Sequence, residues 1–200
     1  MEFPDGEAFD GETFEGHALE GADLGHKELV KCTLRNAKLG ETRWQGTRLE
    51  DCVFDSCDLT RANLRGLSLR DVTFTNCKLM GVDFSPIGRH PALQFTACNL
   101  RYASFVGVAL RKIKFARCGL QEANFIDVDL VEALFEDCKF TGATFDRCDL
   151  SKARFPGGAD LFIDPVKNKV KGLHVSLDAA ILLAASHGIT VIGYALDDDD

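Results

Sequence analysis

Tryptophan occurs once in 200 residues, tyrosine and methionine twice each, and proline five times. No stretch of about 18 or more residues is apolar throughout, so no segment reads as a membrane span. The opening MEFPDGEAFDGETFEG lacks the basic and apolar regions of a secretory leader, and the expectation is a cytoplasmic protein. Gly157 and Gly158 in PGGAD are followed by no Lys-Ser/Thr pair, which argues against a phosphate-binding loop. The histidines, among them His17, His26, His90 and His187, are scattered, with no ligand or triad spacing. The formal net charge of -8 argues against direct binding to nucleic acid through phosphates. These absences together predict a protein that is not an enzyme and takes no cofactor and no metal.

Phenylalanine, by contrast, occurs fifteen times, and its placement is regular. From Phe9 to Phe84 every fifth residue is Leu or Phe, except Trp44; from Phe95 to Phe155 the same step runs without exception. A strand has a period of 2 and an α-helix one of 3.6, so neither explains a step of five. Two places before each centre stands a second inward position, usually Ala or Cys, and the other three places are polar, charged or Gly. A five-residue unit cannot fold alone, but four units can close one square coil of 20 residues.

The sequence tests that geometry, because residues 20 apart would then stack. Phe14, Leu34, Phe54, Phe74, Phe95, Phe115, Phe135 and Phe155 form a nearly pure Phe column, and Leu29, Leu49, Leu69, Leu110, Leu130 and Leu150 a pure Leu column. Cys57, Cys77, Cys98, Cys118 and Cys138 fall in one column of the small position. The predicted fold class is an all-β solenoid of about seven coils, narrow and filled. Phe84 and Phe95 are 11 apart rather than 10, which places a one-residue bulge within 85–92, at Pro86, Ile87, Gly88, Arg89, His90 and Pro91.

After Phe155 the rhythm stops. The chain divides into a repeat domain, 1–156, and a C-terminal part, 157–200, made of a link, a helix, a strand and an acidic tail. Ser176 can cap a helix that begins at Leu177 and ends before Gly188, and ITVIGYAL reads as a strand after it. Leu177, Ala180, Ile181 and Ala184, with Ile189, Val191 and Ile192, form an apolar surface larger than one solenoid end needs, which predicts a homodimer through this region.

Charge is banded. Residues 99–121 contain Arg101, Arg111, Lys112, Lys114 and Arg117 and no acid, whereas 127–149 contain Asp127, Asp129, Glu132, Glu136, Asp137, Asp146 and Asp149 against Lys139 and Arg147. A further run of acids, Asp5 to Glu28, occupies the first coil.

The units ADLGH, ANLRG, ANFID and ATFDR resemble those of the pentapeptide repeat proteins. That resemblance implies a right-handed quadrilateral β-helix over about three quarters of the chain. The DPVKNKVKG link, the SLDAAILL helix and HGITVIG are similar to the tail of the gyrase-protecting members, the quinolone-resistance and antibiotic self-immunity proteins. It implies a head-to-head dimer joined at the C-terminal ends and a DNA-mimicking rod that binds DNA gyrase or topoisomerase IV. The acids of 127–149 would then lie near the middle of the long rod as the partner-binding set, and the first-coil acids at its tips. Lacking projecting loops, the chain is closer to the loopless members, so a natural gyrase poison fits it at least as well as a quinolone. The alternative is a structural or adaptor rod for another protein.

Overall fold

The computed structural model describes residues 3–85, 87–88, 91–158 and 160–192. Each five-residue unit is one side of a coil. Its centre points inward within a strand of two to four residues or a single bridge, as in Thr13–Glu15 or Val53–Asp55. The residue two places after the centre turns the corner in the left-handed region, at Gly11 (φ +69°), Lys31 (+53°), Asn36 (+50°) and Asp137 (+52°). A side chain in that conformation costs roughly 1–2 kcal/mol. The cost is offset because the corner N–H donates to a carbonyl of the next coil: Lys31 to Glu50 at 2.8 Å, Asn36 to Asp55 at 3.0 Å and Glu132 to Ser151 at 3.0 Å.

Four corners return the chain to its start, and the coils stack in parallel at a register of 20: Phe9 pairs Leu29, Leu29 pairs Leu49, Phe14 pairs Leu34 and Phe125 pairs Phe145. The first face carries a four-stranded sheet from Ala8–Asp10 to Ser68–Arg70. The second carries nine strands without interruption, from Thr13–Glu15 to His174–Val175. The third is a ladder of single bridges, Ala18, Lys38, Asp58, Lys78, Asn99, Gly119 and Lys139. The fourth contains the three-stranded sheet Ser104–Val106, Asn124–Ile126 and Thr144–Asp146. Eight steps at the strand spacing make a rod of about 38 Å.

The interior follows the columns. Phe95, Phe115, Phe135 and Phe155 stack with centroids 4.5–5.1 Å apart, and Phe84, Phe105, Phe125 and Phe145 at 4.8 Å. The two stacks meet edge to face, as between Phe105 and Phe115 at 85°. Both geometries suit the ring quadrupole, at about 0.5–1.5 kcal/mol per pair beyond area burial. All eight cysteines are free and buried. Their thiols donate to carbonyls one coil back, Cys57 to Leu34 at 3.3 Å and Cys77 to Phe54 at 3.4 Å. Burial pushes the Cys52 thiol up to about 11 and raises Cys32 and Cys148 as well.

The stacking register lengthens once by one residue. Val72 pairs Leu93 and Phe74 pairs Phe95, a step of 21, and the columns continue in phase. The first-face sheet ends at Ser68–Arg70, Ile87 is buried and Gly88 N–H reaches Leu67 O at 3.2 Å. Pro86, Arg89 and His90 lie outside the described residues.

Strand pairing does not stop at Phe155. Arg154 pairs His174, Phe155 pairs Val175 and Asp149 bridges Lys169, so 156–175 run one more coil. Asn168 ends the column of small positions headed there by Cys148: its buried amide accepts from Cys148 N–H and donates to Phe145 O and Asp164 O. The helix spans Leu177–Ser186, and Ser176 Oγ accepts from Ala179 N–H. Residues 189–192 form no strand, and the rest of the strand expected over ITVIGYAL lies outside the described residues, as does the acidic tail.

Candidate partner-binding surface

The seven acids of 127–149 do not share one face. Asp129 and Asp149 are ladder neighbours on the first face. Glu136 ends the second-face strand Leu134–Glu136 and Asp146 the fourth-face strand Thr144–Asp146. Asp127, Glu132 and Asp137 are corner residues with φ of +55°, +61° and +52°. They girdle the rod, with only Asp127, Asp129 and Asp149 lining a common groove of about 540 Å³ together with Arg147, Lys167 and Lys169.

They are also not bare. Arg111 meets Asp129 at 3.0 Å, Lys112 meets Glu132 at 3.7 Å, Lys114 meets Glu136 at 3.1 Å and Lys169 meets Asp149 at 3.5 Å. Arg147 holds Asp127 at 2.8 Å and pairs with Asp146 as well. Among the described residues only Asp137 of the seven has no ion pair. The pairs made by Arg111, Lys112 and Lys114 join the basic band to the acidic band one coil away. Hydrogen bonds from Arg147 hold Asp127 below the usual carboxylate range. A bond from Ser151 does the same for Asp149.

Asp129 and Asp149 have a structural task too. Each accepts from the N–H two residues on, at Val131 and Ser151, both at 3.1 Å. The same turn is closed by Asp58 with Thr60, Asn63 with Arg65 and Asn99 with Arg101. The Asp or Asn of the repeat unit is therefore a turn-former before it is a ligand.

A larger group of unpaired acids lies at the other end. Asp5, Glu7, Asp10, Glu12, Glu20 and Glu28 are exposed and unpaired among the described residues, with Lys27 donating to Gly6 O instead. The sequence showed this acid run, but its weight relative to the middle appears only once the cross-coil pairs are known.

At the C-terminal end Leu177, Ile189 and Ile192 are 54%, 60% and 97% exposed. Ala180 is exposed, and Ala184 and Val191 are half-buried. Ile181 belongs elsewhere: with Ala179 it is buried against its own chain. Phe162 (47%) and Val166 (85%) join the exposed apolar set; they stand on the last coil, where loss of the five-residue phase hid them.

The faces of the filled rod carry open grooves, one of about 790 Å³ along the third face between Glu20 and Lys78. Among the described residues no His, Cys, Asp and Glu group is arranged to hold a metal, and no helix is long and apolar enough to cross a membrane.

Among curated proteins none matches the chain by sequence. Of solved structures, two trypsin-treated variants of QnrB1, a plasmid-mediated fluoroquinolone resistance protein, are similar to it. One is 22% identical, with a TM-score of 0.60, over 93% of this chain and 100% of that one. The other is 27% identical, with a TM-score of 0.57, over 93% and 90%. The description "Pentapeptide repeat region" matches 27–92 and 47–125, and "Pentapeptide repeats (8 copies)" matches 118–157. With its coils, columns and corners in that pattern, the chain belongs to the pentapeptide repeat family.

Proposed function

We propose that the chain is a non-enzymatic rod that binds a type II topoisomerase, DNA gyrase or topoisomerase IV, in place of DNA and protects it from a topoisomerase-directed antibiotic or toxin. The observation that carries this reading is the likeness to QnrB1 at 27% identity across 93% of the chain. A stiff, filled rod with exposed carboxylates suits a cationic DNA channel, where charge complementarity steers the encounter. The ion-paired middle moves the emphasis toward the exposed acids of the first coils, with Asp137 and the groove at Asp127, Asp129 and Asp149 as secondary contacts. The second element of the reading is a homodimer through the C-terminal end, supported by the exposed Leu177, Ile189 and Ile192, which doubles the rod about a two-fold axis. Such a protein acts in the cytoplasm, where its target handles DNA.

Purified gyrase and topoisomerase IV, assayed for supercoiling or decatenation and for drug-stabilised cleavage against a panel of inhibitors, test the proposal. The expected result is inhibition or drug rescue that weakens with salt. Reversal of Asp10, Glu12 and Glu20 to Lys should weaken it more than reversal of Asp129, Glu132 and Glu136. No effect of the folded protein on either enzyme would replace this reading with that of an adaptor rod for another partner.

A further inference from the structure

One column of the interior holds thiols rather than rings. Cys57, Cys77, Cys98, Cys118 and Cys138 take the same inward position on five successive coils, all free and buried. Each lies between the same two kinds of carbonyl. The Cys98 thiol has Phe74 O and Thr96 O as acceptors, both at 3.4 Å. Cys118 has Phe95 O at 3.6 Å and Ala116 O at 3.4 Å. The thiols therefore point alike and repeat with the coil, at about 4.8 Å, the step measured between Phe105, Phe125 and Phe145. At that step the Cβ atoms stand farther apart than the roughly 3.5–4.5 Å of a disulfide. Two thiolate bonds of about 2.3 Å to one d10 ion, placed in line, span about 4.6 Å and match it. Among the described residues no three ligand groups surround one point, which leaves out the tetrahedral arrangement of zinc. Two sulfurs in line suit a soft monovalent ion instead.

Two of the five thiols differ from the rest in what surrounds them. Cys98 and Cys118 help to line a third-face groove of about 330 Å³, where Gly119 brings no side chain to the ladder between Asn99 and Lys139. Arg101, Arg117 and Lys139 stand around that groove with Asp137 as its sole acid, and none of the three cations is ion-paired among the described residues. Cys57 lines the other third-face groove, but there Arg61 and Lys78 are matched by Glu41 and Asp58. Hydrogen bonds from Cys138 and Cys98 lower the Cys118 thiol, and the same contacts raise Cys138 and Cys98. We propose that Cys98 and Cys118 form a two-coordinate site for a soft monovalent cation of the Cu(I) class. Two S–H bonds break and two S–metal bonds form, with no change of oxidation state. Two neutral thiols and one monovalent ion become an anionic dithiolate, and two protons leave by the groove. The ion needs no cavity, because it lies where the sulfurs already face each other. The product carries one negative charge into the interior, and the three unmatched cations above it offset that charge. The site is independent of the topoisomerase reading.

The test titrates the reduced, folded chain with Cu(I), delivered without oxygen as its bicinchoninate complex. The expected result is transfer of one Cu(I) per chain with release of two protons and an unchanged far-UV spectrum. X-ray absorption at the copper edge should show two sulfur neighbours. Alanine already fills this inward position at Ala37, so Cys98→Ala and Cys118→Ala suit the fold, and each should weaken binding at least about 100-fold. Cys32→Ala, in the other stacked pair, should change it less than about twofold. Arg101→Glu with Arg117→Glu should weaken it about 10-fold. Failure of the folded chain to take Cu(I) from the complex would overturn the proposal, as would binding that persists in both Ala variants or a third sulfur neighbour. So would uptake that occurs only as the β signal is lost, which assigns the ion to the unfolded chain. Should an Ala variant itself lose that signal, the Arg pair, which leaves the interior untouched, decides: binding indifferent to its reversal rejects the site.

Discussion

The two ends of the rod are finished in different ways. At the N-terminal end Phe3 folds back over the first coil, 4.6 Å from Phe14 and 5.3 Å from Phe9, and Lys27 lies 5.5 Å over its ring. The plug uses side chains that the chain itself supplies, and it leaves acids outward. At the C-terminal end Ala179 and Ile181 are buried, while Leu177, Ile189, Ile192, Phe162 and Val166 remain on the outside. One end is closed to solvent and charged; the other is covered but still apolar. A parallel solenoid needs both its open edges blocked, and the two ends differ in how much apolar surface the block leaves exposed.

The largest effect is expected between the ends, where Phe115→Asp places a charge among stacked rings. The loss should be at least about 4 kcal/mol, with collapse of the β signal in far-UV circular dichroism; an unchanged melt would place Phe115 outside the stack. Next, Leu177→Glu with Ile189→Glu should convert a dimer into a monomer by sedimentation equilibrium while the coils keep their melting temperature, whereas Phe3→Ala should leave the mass unchanged. A dimer indifferent to the first change, or abolished by the second, would reverse the roles of the ends. Phe3→Ala should itself cost about 1–2 kcal/mol, because its ring is only partly covered. Ser176→Ala removes the helix cap and should cost about 1 kcal/mol, read as faster amide exchange at Ala179.

The interior thiols give a pH test shared by both ends. The Cys52 pKa is raised from 9.0 to about 11, so the folded state binds a proton that the unfolded chain releases. Its stabilisation is full below about pH 9 and is lost as pH climbs toward 11, and the melting temperature should hold steady and then fall over that window. The smallest effect is expected from Arg147→Ala, whose two carboxylate partners are surface groups: no measurable change in melting temperature.

The inward half of the molecule was legible because its period is geometric. Phe115 can occupy its place only if Phe95 and Phe135 occupy theirs, and a 20-residue comparison exposes the column. The outward half was harder to read. Arg111 and Asp129, or Arg147 and Asp127, are far apart in sequence and adjacent in space, and reading charge along the chain gave bands where the stacked coils give pairs. The signal was present: setting residues 20 apart side by side brings Arg35 to Asp55 and Arg61 to Glu41, and it would have predicted the pairing. Beyond Phe155 the five-step pattern of large centres lapses, yet the backbone keeps its turn because Val170 and Val175 fall again in phase and Asn168 replaces a thiol with an amide. A periodic search for Leu and Phe does not register such substitutions. At the C-terminal end Ile181 is buried in its own chain, and the exposed Phe162 and Val166 sit in the stretch without rhythm.

The insertion within 85–92 bears on length. One additional residue is absorbed at a single side, and Phe74 still meets Phe95 in the next layer. Any whole number of 20-residue layers could therefore be removed or added on either side of it without disturbing the alignment of those that remain. The molecule is in effect a measuring stick graduated in steps of about 4.8 Å, and the distance between its charged tip and its apolar foot can be set by genetics one graduation at a time.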